Sequence, residues 1–83
     1  MVFMDKKLAV VAIIVENPNS VEKVNALLHE YREYVIGRMG LPHRERKVSV
    51  ISIVIDTTPE LINGLSGKLG MIDGVKSKVL TTK

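Results

Sequence analysis

The residues able to do chemistry gather in three places. The stretch IGRMGLPHRER, residues 36–46, sets Arg38, His43, Arg44 and Arg46 close together, and Lys47 follows. Across 38–47 the balance against Glu45 is +3, equal to the net charge of the whole chain. A basic loop of this kind suits phosphate, nucleic acid or an acidic partner. Its plainer reading, which we favour, is a solvated hairpin whose charges oppose edge-to-edge aggregation. The second place is ENPNS, where Asn17, Asn19 and Ser20 precede an apolar helical pattern. Helix N-terminal amides and two Asn side chains can hold a small ligand there, although the same residue types are ordinary helix caps. The third is NGLSGKLG, with Asn63, Gly64 and Gly67 on the side of a helix away from its leucines. Two helical glycines cost about 1 kcal/mol each relative to alanine. A flat patch of small residues fits close approach of another backbone or a ligand, or a loosely wound surface helix.

Other chemistries are excluded or weak. The chain has no cysteine, which removes disulfides, zinc–thiolate sites and thiol catalysis together. His29 and Glu33 lie one turn apart on the polar face of the first helix, where two exposed ligands make a poor metal site and an ion pair is the default. His43 has only Glu45 near it. No metal site and no cofactor is expected. The pair Gly67-Lys68 fails as a phosphate loop, because that motif needs glycine five residues earlier and Ile62 stands there. No Ser or Thr has a recognisable activating base in its sequence context, so no catalytic residue is assigned and the chain reads as non-enzymatic.

The elements that position these groups follow from periodicity. Eighty-three residues, 46% of them hydrophobic, make one domain, residues 1–83. With one Phe and two Tyr, its core must be aliphatic. Residues 8–15 are apolar on both alternating sets and read as a central strand. Asn19, with Glu22 three residues on, is expected to cap a helix whose stripe is Val21, Val24, Leu27, Leu28 and Tyr31. Residues 33–40 read as an edge strand weakened by Gly37 and Gly40. Val48–Asp56 is a third strand, with Ile51, Ile53 and Ile55 toward the core and Val48, Val50, Ser52 and Val54 on a milder second face. Thr58 and Pro59 start a second helix carrying Leu61, Ile62, Leu65 and Leu69, and Gly70 is expected to end it in the left-handed conformation. Asp73-Gly74 signals a turn. A last strand, from Val75 to about Thr81, carries the edge charges Lys76 and Lys78.

The order β-α-β-β-α-β predicts an α+β, ferredoxin-like sandwich: an antiparallel four-stranded sheet with both helices on one face. Either Val10, Ala12 and Ile14 or Val11, Ile13 and Val15 must then face away from the helices, joined by Val48, Val50 and Val54. A face that apolar needs a cover. Acylphosphatases share this topology, but their phosphate-cradling loop and arginine are absent after the first strand. RNA-binding sheets of the same order need aromatic residues on the central strands, and these have none.

The loop and helix ENPNSVEKVNALL resemble those of ACT-type regulatory domains, as does the ending LGMIDGVKSKV. The combination HEYREYVIGRMGLP, ISIVID and LSGKLGMIDGV is similar to a small bacterial family of iron-only hydrogenase system regulators. The resemblance covers nearly the whole chain, with GRMGLP and SGKLGM its most specific segments. It implies an ACT-like ferredoxin fold, self-association and a regulatory role. The C-terminal domain of nickel-responsive repressors has a similar fold but binds metal through histidines and a cysteine. ACT domains that bind amino acids usually place glycine after the loop proline, whereas Asn19 follows Pro18 here.

The sequence therefore predicts a cytoplasmic, self-associating, ACT-like module that senses a small ligand or a partner protein. It is expected to be at least a dimer, through the open sheet face or edge. The apolar run from Leu8 to Val15 is too short to span a membrane, and no small-residue cleavage site follows it. The alternative is a small nucleic-acid-binding regulator that uses the basic 38–47 loop. Without a helix-turn-helix or arm to read bases it would bind through phosphates alone, and nucleic acid is the less favoured partner.

Overall fold

The computed structural model describes residues 5–82. Its elements are β1 (Lys7–Val15), a 3₁₀ turn (Pro18–Ser20), α1 (Val21–Glu30), β2 (Val35–His43), β3 (Val48–Thr57), α2 (Pro59–Gly70) and β4 (Val75–Thr81). The four strands form one antiparallel sheet in the order β2-β3-β1-β4. This is the expected ferredoxin-like α+β sandwich, with the two most apolar strands central. Among the described residues, no helix is long and apolar enough to cross a membrane.

The alternation of β1 is decided by the helices. Ala9, Val11, Ile13 and Val15 are buried beneath them, together with Ile51, Ile53 and Ile55 of β3. From above, Val24, Leu27 and Leu28 of α1 and Ile62, Leu65 and Leu69 of α2 close the core. The even-numbered set, Leu8, Val10 and Ile14, is left exposed with Val50 of β3. β1 is thus covered on one face only within the single chain.

Three local expectations are corrected. Asn19 does not cap α1. Asn17 is the capping residue, its Oδ1 accepting the Asn19 amide (3.0 Å) to start the 3₁₀ turn, and Ser20 at the N-cap of α1 makes no side-chain cap. Gly70 does not end α2 in the left-handed region; the positive-φ glycine is Gly74, at +71°. β2 begins at Val35 and runs on to His43, so most of the expected basic loop is strand. An edge strand tolerates Pro42, which needs no ladder donor on its open side, and a bulge between Val35 and Gly37 absorbs the irregular start. Only residues 44–47 form the hairpin turn.

Candidate functional site

The loop ENPNS folds onto the α2–β4 turn. Asn17 Nδ2 donates to Asp73 Oδ2 (2.7 Å), Ser20 Oγ donates to the Asp73 carbonyl (2.7 Å) and the Glu16 amide donates to the Gly74 carbonyl (2.7 Å). A β-carbon added to Gly74 would stand 2.7 Å from Asn17 Cβ and 2.9 Å from Asn17 N. Glycine at 74 is therefore needed for its φ and for the closeness of the two loops. The polar groups of Asn17 and Ser20 are spent inside the protein, and Asn19 is exposed. Asp73, read from the sequence only as a turn residue, is the hub of this end. Nothing in its local sequence marks that role, since its partners lie more than fifty positions away.

Asn63, Gly64 and Gly67 are not brought to this loop. Gly64 faces Tyr31, whose Oη would lie 3.5 Å from an added β-carbon, and Tyr31 caps the far end of α1, eleven residues (roughly 16 Å) from Ser20. At Gly67 an added β-carbon would meet open space. Lys68 Nζ sits 5.4 Å from the centre of the Tyr31 ring, a cation–π contact. An added β-carbon at Gly64 would make only an ordinary van der Waals contact with Tyr31. His29 is exposed on α1, where its carbonyl accepts from Arg32 Nη1. Among the described residues no three His, Asp or Glu side chains converge as a metal site would require.

The basic residues divide into two groups. Arg38 is paired with buried Ile53, so its side chain lies on the helix side, and its Nη2 donates to Asn25 Oδ1 of α1 (2.6 Å). His43 lies five positions further along the strand, roughly 17 Å away. The rest cluster at the hairpin tip. His43 Nδ1 accepts the Arg46 amide (3.3 Å), and the Lys47 amide donates to the Arg44 carbonyl (3.3 Å). Lys47 has φ of 55°, the one positive value among the described non-glycine residues. That conformation costs about 1–2 kcal/mol for a residue with a β-carbon.

Beside the tip is a cleft of about 310 Å³ between the start of α1 and the hairpin. Val15, Pro18, Val21, Pro42 and Val48 form its apolar walls, Ser49 its one hydroxyl, and His43, Arg44 and Lys47 its rim. The sequence showed the rim but not the walls, which come from five separate elements. A larger cleft, about 470 Å³, lies between Glu16 and the segment Gly70–Lys76. Within it Lys76 Nζ stands 3.2 Å from Glu16 Oε1, and the Asp73 carboxylate accepts from Asn17.

On the opposite side of the sheet the exposed apolar residues line up in register. Val10 lies between Val54 and Leu80; Ile14 adjoins Val50, which adjoins Leu41; Ala12 adjoins Ser52, which adjoins Met39. Met39 and Leu41 belong to the segment read as strand end and loop. Their two-residue spacing is the signal that would have placed them on this face.

Comparison with known proteins agrees with the fold. A formyltetrahydrofolate deformylase from Pseudomonas putida KT2440 superposes with a TM-score of 0.63 at 14% identity, over 87% of this chain and 28% of that one, a likeness of fold alone. The uncharacterized protein TM1266 from Thermotoga maritima superposes with a TM-score of 0.90 at 36% identity, over 95% of this chain and all of that one. No curated protein matches the chain. The family model described as "TM1266-like: Iron-only hydrogenase system regulator, putative" matches residues 7–79. With nearly the whole chain inside that match, the protein belongs to the TM1266-like family.

Proposed function

We propose that this protein is a non-enzymatic, ACT-like regulatory module that works as a homodimer joined through its open sheet face and responds to a small ligand. The link to iron-only hydrogenase regulation is the one carried by the family description. The observation that carries the reading is the apolar open face. Nine-residue strands at about 3.3 Å per residue and four strands at about 4.8 Å make a face of roughly 30 by 19 Å, on the order of 570 Å². Leu8, Val10, Ile14, Met39, Leu41, Val50 and Leu80 stand exposed on it, with Ser52, Lys76 and Lys78 among them. A contiguous apolar patch of this kind marks an interaction site, and the whole face approaches the ~800 Å² per partner of a standard interface. A second copy supplies a self-complementary cover through a two-fold axis.

Face-to-face pairing is favoured over edge pairing by the edges themselves. β4 carries Lys76 and Lys78, both exposed and standing at the β4 margin of the open face beside Ile14 and Ala12, and β2 carries Pro42 and the bulge at Val35/Gly37. Charge, proline and bulges all blunt a sheet edge. The same division of Arg38 from the hairpin cations weakens the nucleic-acid alternative, which needs one continuous basic surface. Sedimentation equilibrium at micromolar concentration tests the dimer. A mass near twice 9.2 kDa is expected, and a well-behaved monomer removes the reading's main support. A thermal-shift screen of carboxylic acids, amino acids, nucleotides and divalent metals tests the response to ligand, and a screen without any shift removes that part.

A further inference from the structure

We propose that the cleft between the start of α1 and the β2–β3 hairpin binds a small carboxylate with a compact apolar tail and no ammonium group, of the branched-chain 2-oxo acid type. This deepens the ligand half of the function proposed above and rests on it.

The charge of the cleft selects an anion. Arg44 and Lys47 stand at the two ends of one turn, held together by the Lys47 amide to Arg44 carbonyl bond (3.3 Å). Among the described residues the only ion pair is Glu16 with Lys76, so no described carboxylate lies within 4.0 Å of either cation. His43 adds a third nitrogen group, and because its Nδ1 already accepts the Arg46 amide, Nε2 is the ring nitrogen left for a ligand. Lys47 also holds a left-handed backbone where glycine or asparagine is usual. Such outliers collect at ligand clamps and switch regions.

The walls select the rest of the molecule. Pro18, Val21, Pro42 and Val48 offer apolar surface, with buried Val15 as the floor, and none has a side-chain donor or acceptor. A fully hydrated ion such as inorganic phosphate gains nothing from them. An apolar tail does. At about 310 Å³ the space is at the small end of ligand sites, which suits a tail of a few carbons. No Asp or Glu lines the cleft, so an α-ammonium group would enter beside two cations with no counter-charge, at a large desolvation cost. A 2-oxo acid presents the same carboxylate and tail as its amino acid without that penalty.

Val15, Pro42 and Ser49 share the helix side of the sheet, Val15 being buried under it and Ser49 its register partner. The cleft therefore opens mainly on the helix side, with His43 and Val48 alternating toward the open face at its rim. Val50 is not among its lining residues, so Val50→Asp keeps the two proposals separable. The test is a titration of the full chain followed by amide NMR, with 4-methyl-2-oxopentanoate, leucine and inorganic phosphate in parallel. The oxo acid is expected to saturate with Kd below about 1 mM, moving the amides of Val15, Val21, Val48 and Ser49. Leucine is expected to bind at least about tenfold more weakly. Arg44→Gln with Lys47→Asn, the asparagine chosen because it tolerates positive φ, should weaken the oxo acid by at least about tenfold. Val50→Asp should leave its binding unchanged. Leucine binding as tightly, or phosphate alone saturating the same amides, overturns the assignment. So does an oxo acid that never saturates; if another compound class then stabilises the protein, the regulatory reading stands and only this ligand assignment falls.

Discussion

Replacing Val50 with aspartate should break the proposed dimer while sparing the fold. In the single chain Val50 keeps 37% of its surface, on the sheet side away from the helices. Burying that remainder against a partner contributes about 0.6–1 kcal/mol, the same fraction of the ~1.5–3 kcal/mol for a whole valine. The two-fold axis counts it twice. Aspartate loses this and adds the desolvation of one carboxylate per copy, several kcal/mol each. A total loss of at least about 5 kcal/mol weakens dimerisation by at least a few thousandfold. Val50→Ala, by contrast, removes two methyl groups already partly covered, and costs less than about tenfold in Kd. Sedimentation equilibrium of wild type and both variants reads the difference, with circular dichroism confirming that the monomer is folded. The fold itself should lose only about 1 kcal/mol, the span of strand propensities. If Val50→Asp proves insoluble, Met39→Asp repeats the test on the edge strand, at a residue 68% exposed in the single chain. A folded Asp variant that dimerises like wild type refutes face pairing.

Three further outcomes follow from the geometry. Gly74→Ala should destabilise the protein by about 2–4 kcal/mol in urea unfolding, because a β-carbon meets both the positive φ and Asn17 at 2.7 Å. Thr58→Ala removes the oxygen that accepts the Leu61 amide (3.4 Å) at the start of α2 and should cost about 1 kcal/mol by the same measurement. Glu16→Gln should change stability by less than about 0.5 kcal/mol, since its ion pair with Lys76 is 48% and 75% exposed on the two sides; a larger loss would mean that the end of β1 is more buried in solution than in the isolated chain.

The fold was legible because the strongest signals are local and repeated. Two apolar strands, two helices with leucine stripes and the Thr58-Pro59 start admit few arrangements, and β-α-β-β-α-β order then fixes which strands are central. Less was legible where a residue's meaning depends on its neighbour across the sheet. Gly37 and Gly40 read as weak points of an edge strand ending at 40 and Pro42 as loop, because their local preferences oppose a strand, yet pairing with β3 carries β2 through to His43. That error hid Met39 and Leu41 from the open face and merged Arg38 with a hairpin it does not belong to.

The sequence by itself determined the element order, the aliphatic core, the edge charges of β4 and the absence of thiol chemistry. It could not say which alternating set of β1 faces the helices, because both sets are apolar and a strand's own pattern is then degenerate; the packing of α1 and α2 on the odd-numbered side decided it. Nor could it show that Asn17 and Ser20 close on Asp73, or that Val15, Pro18, Pro42 and Lys47 meet around one cleft. Those are contacts between residues far apart in the chain. Only the folding of the sheet, which brings the end of β1, the β2–β3 hairpin and the α2–β4 turn to one end of the molecule, creates them.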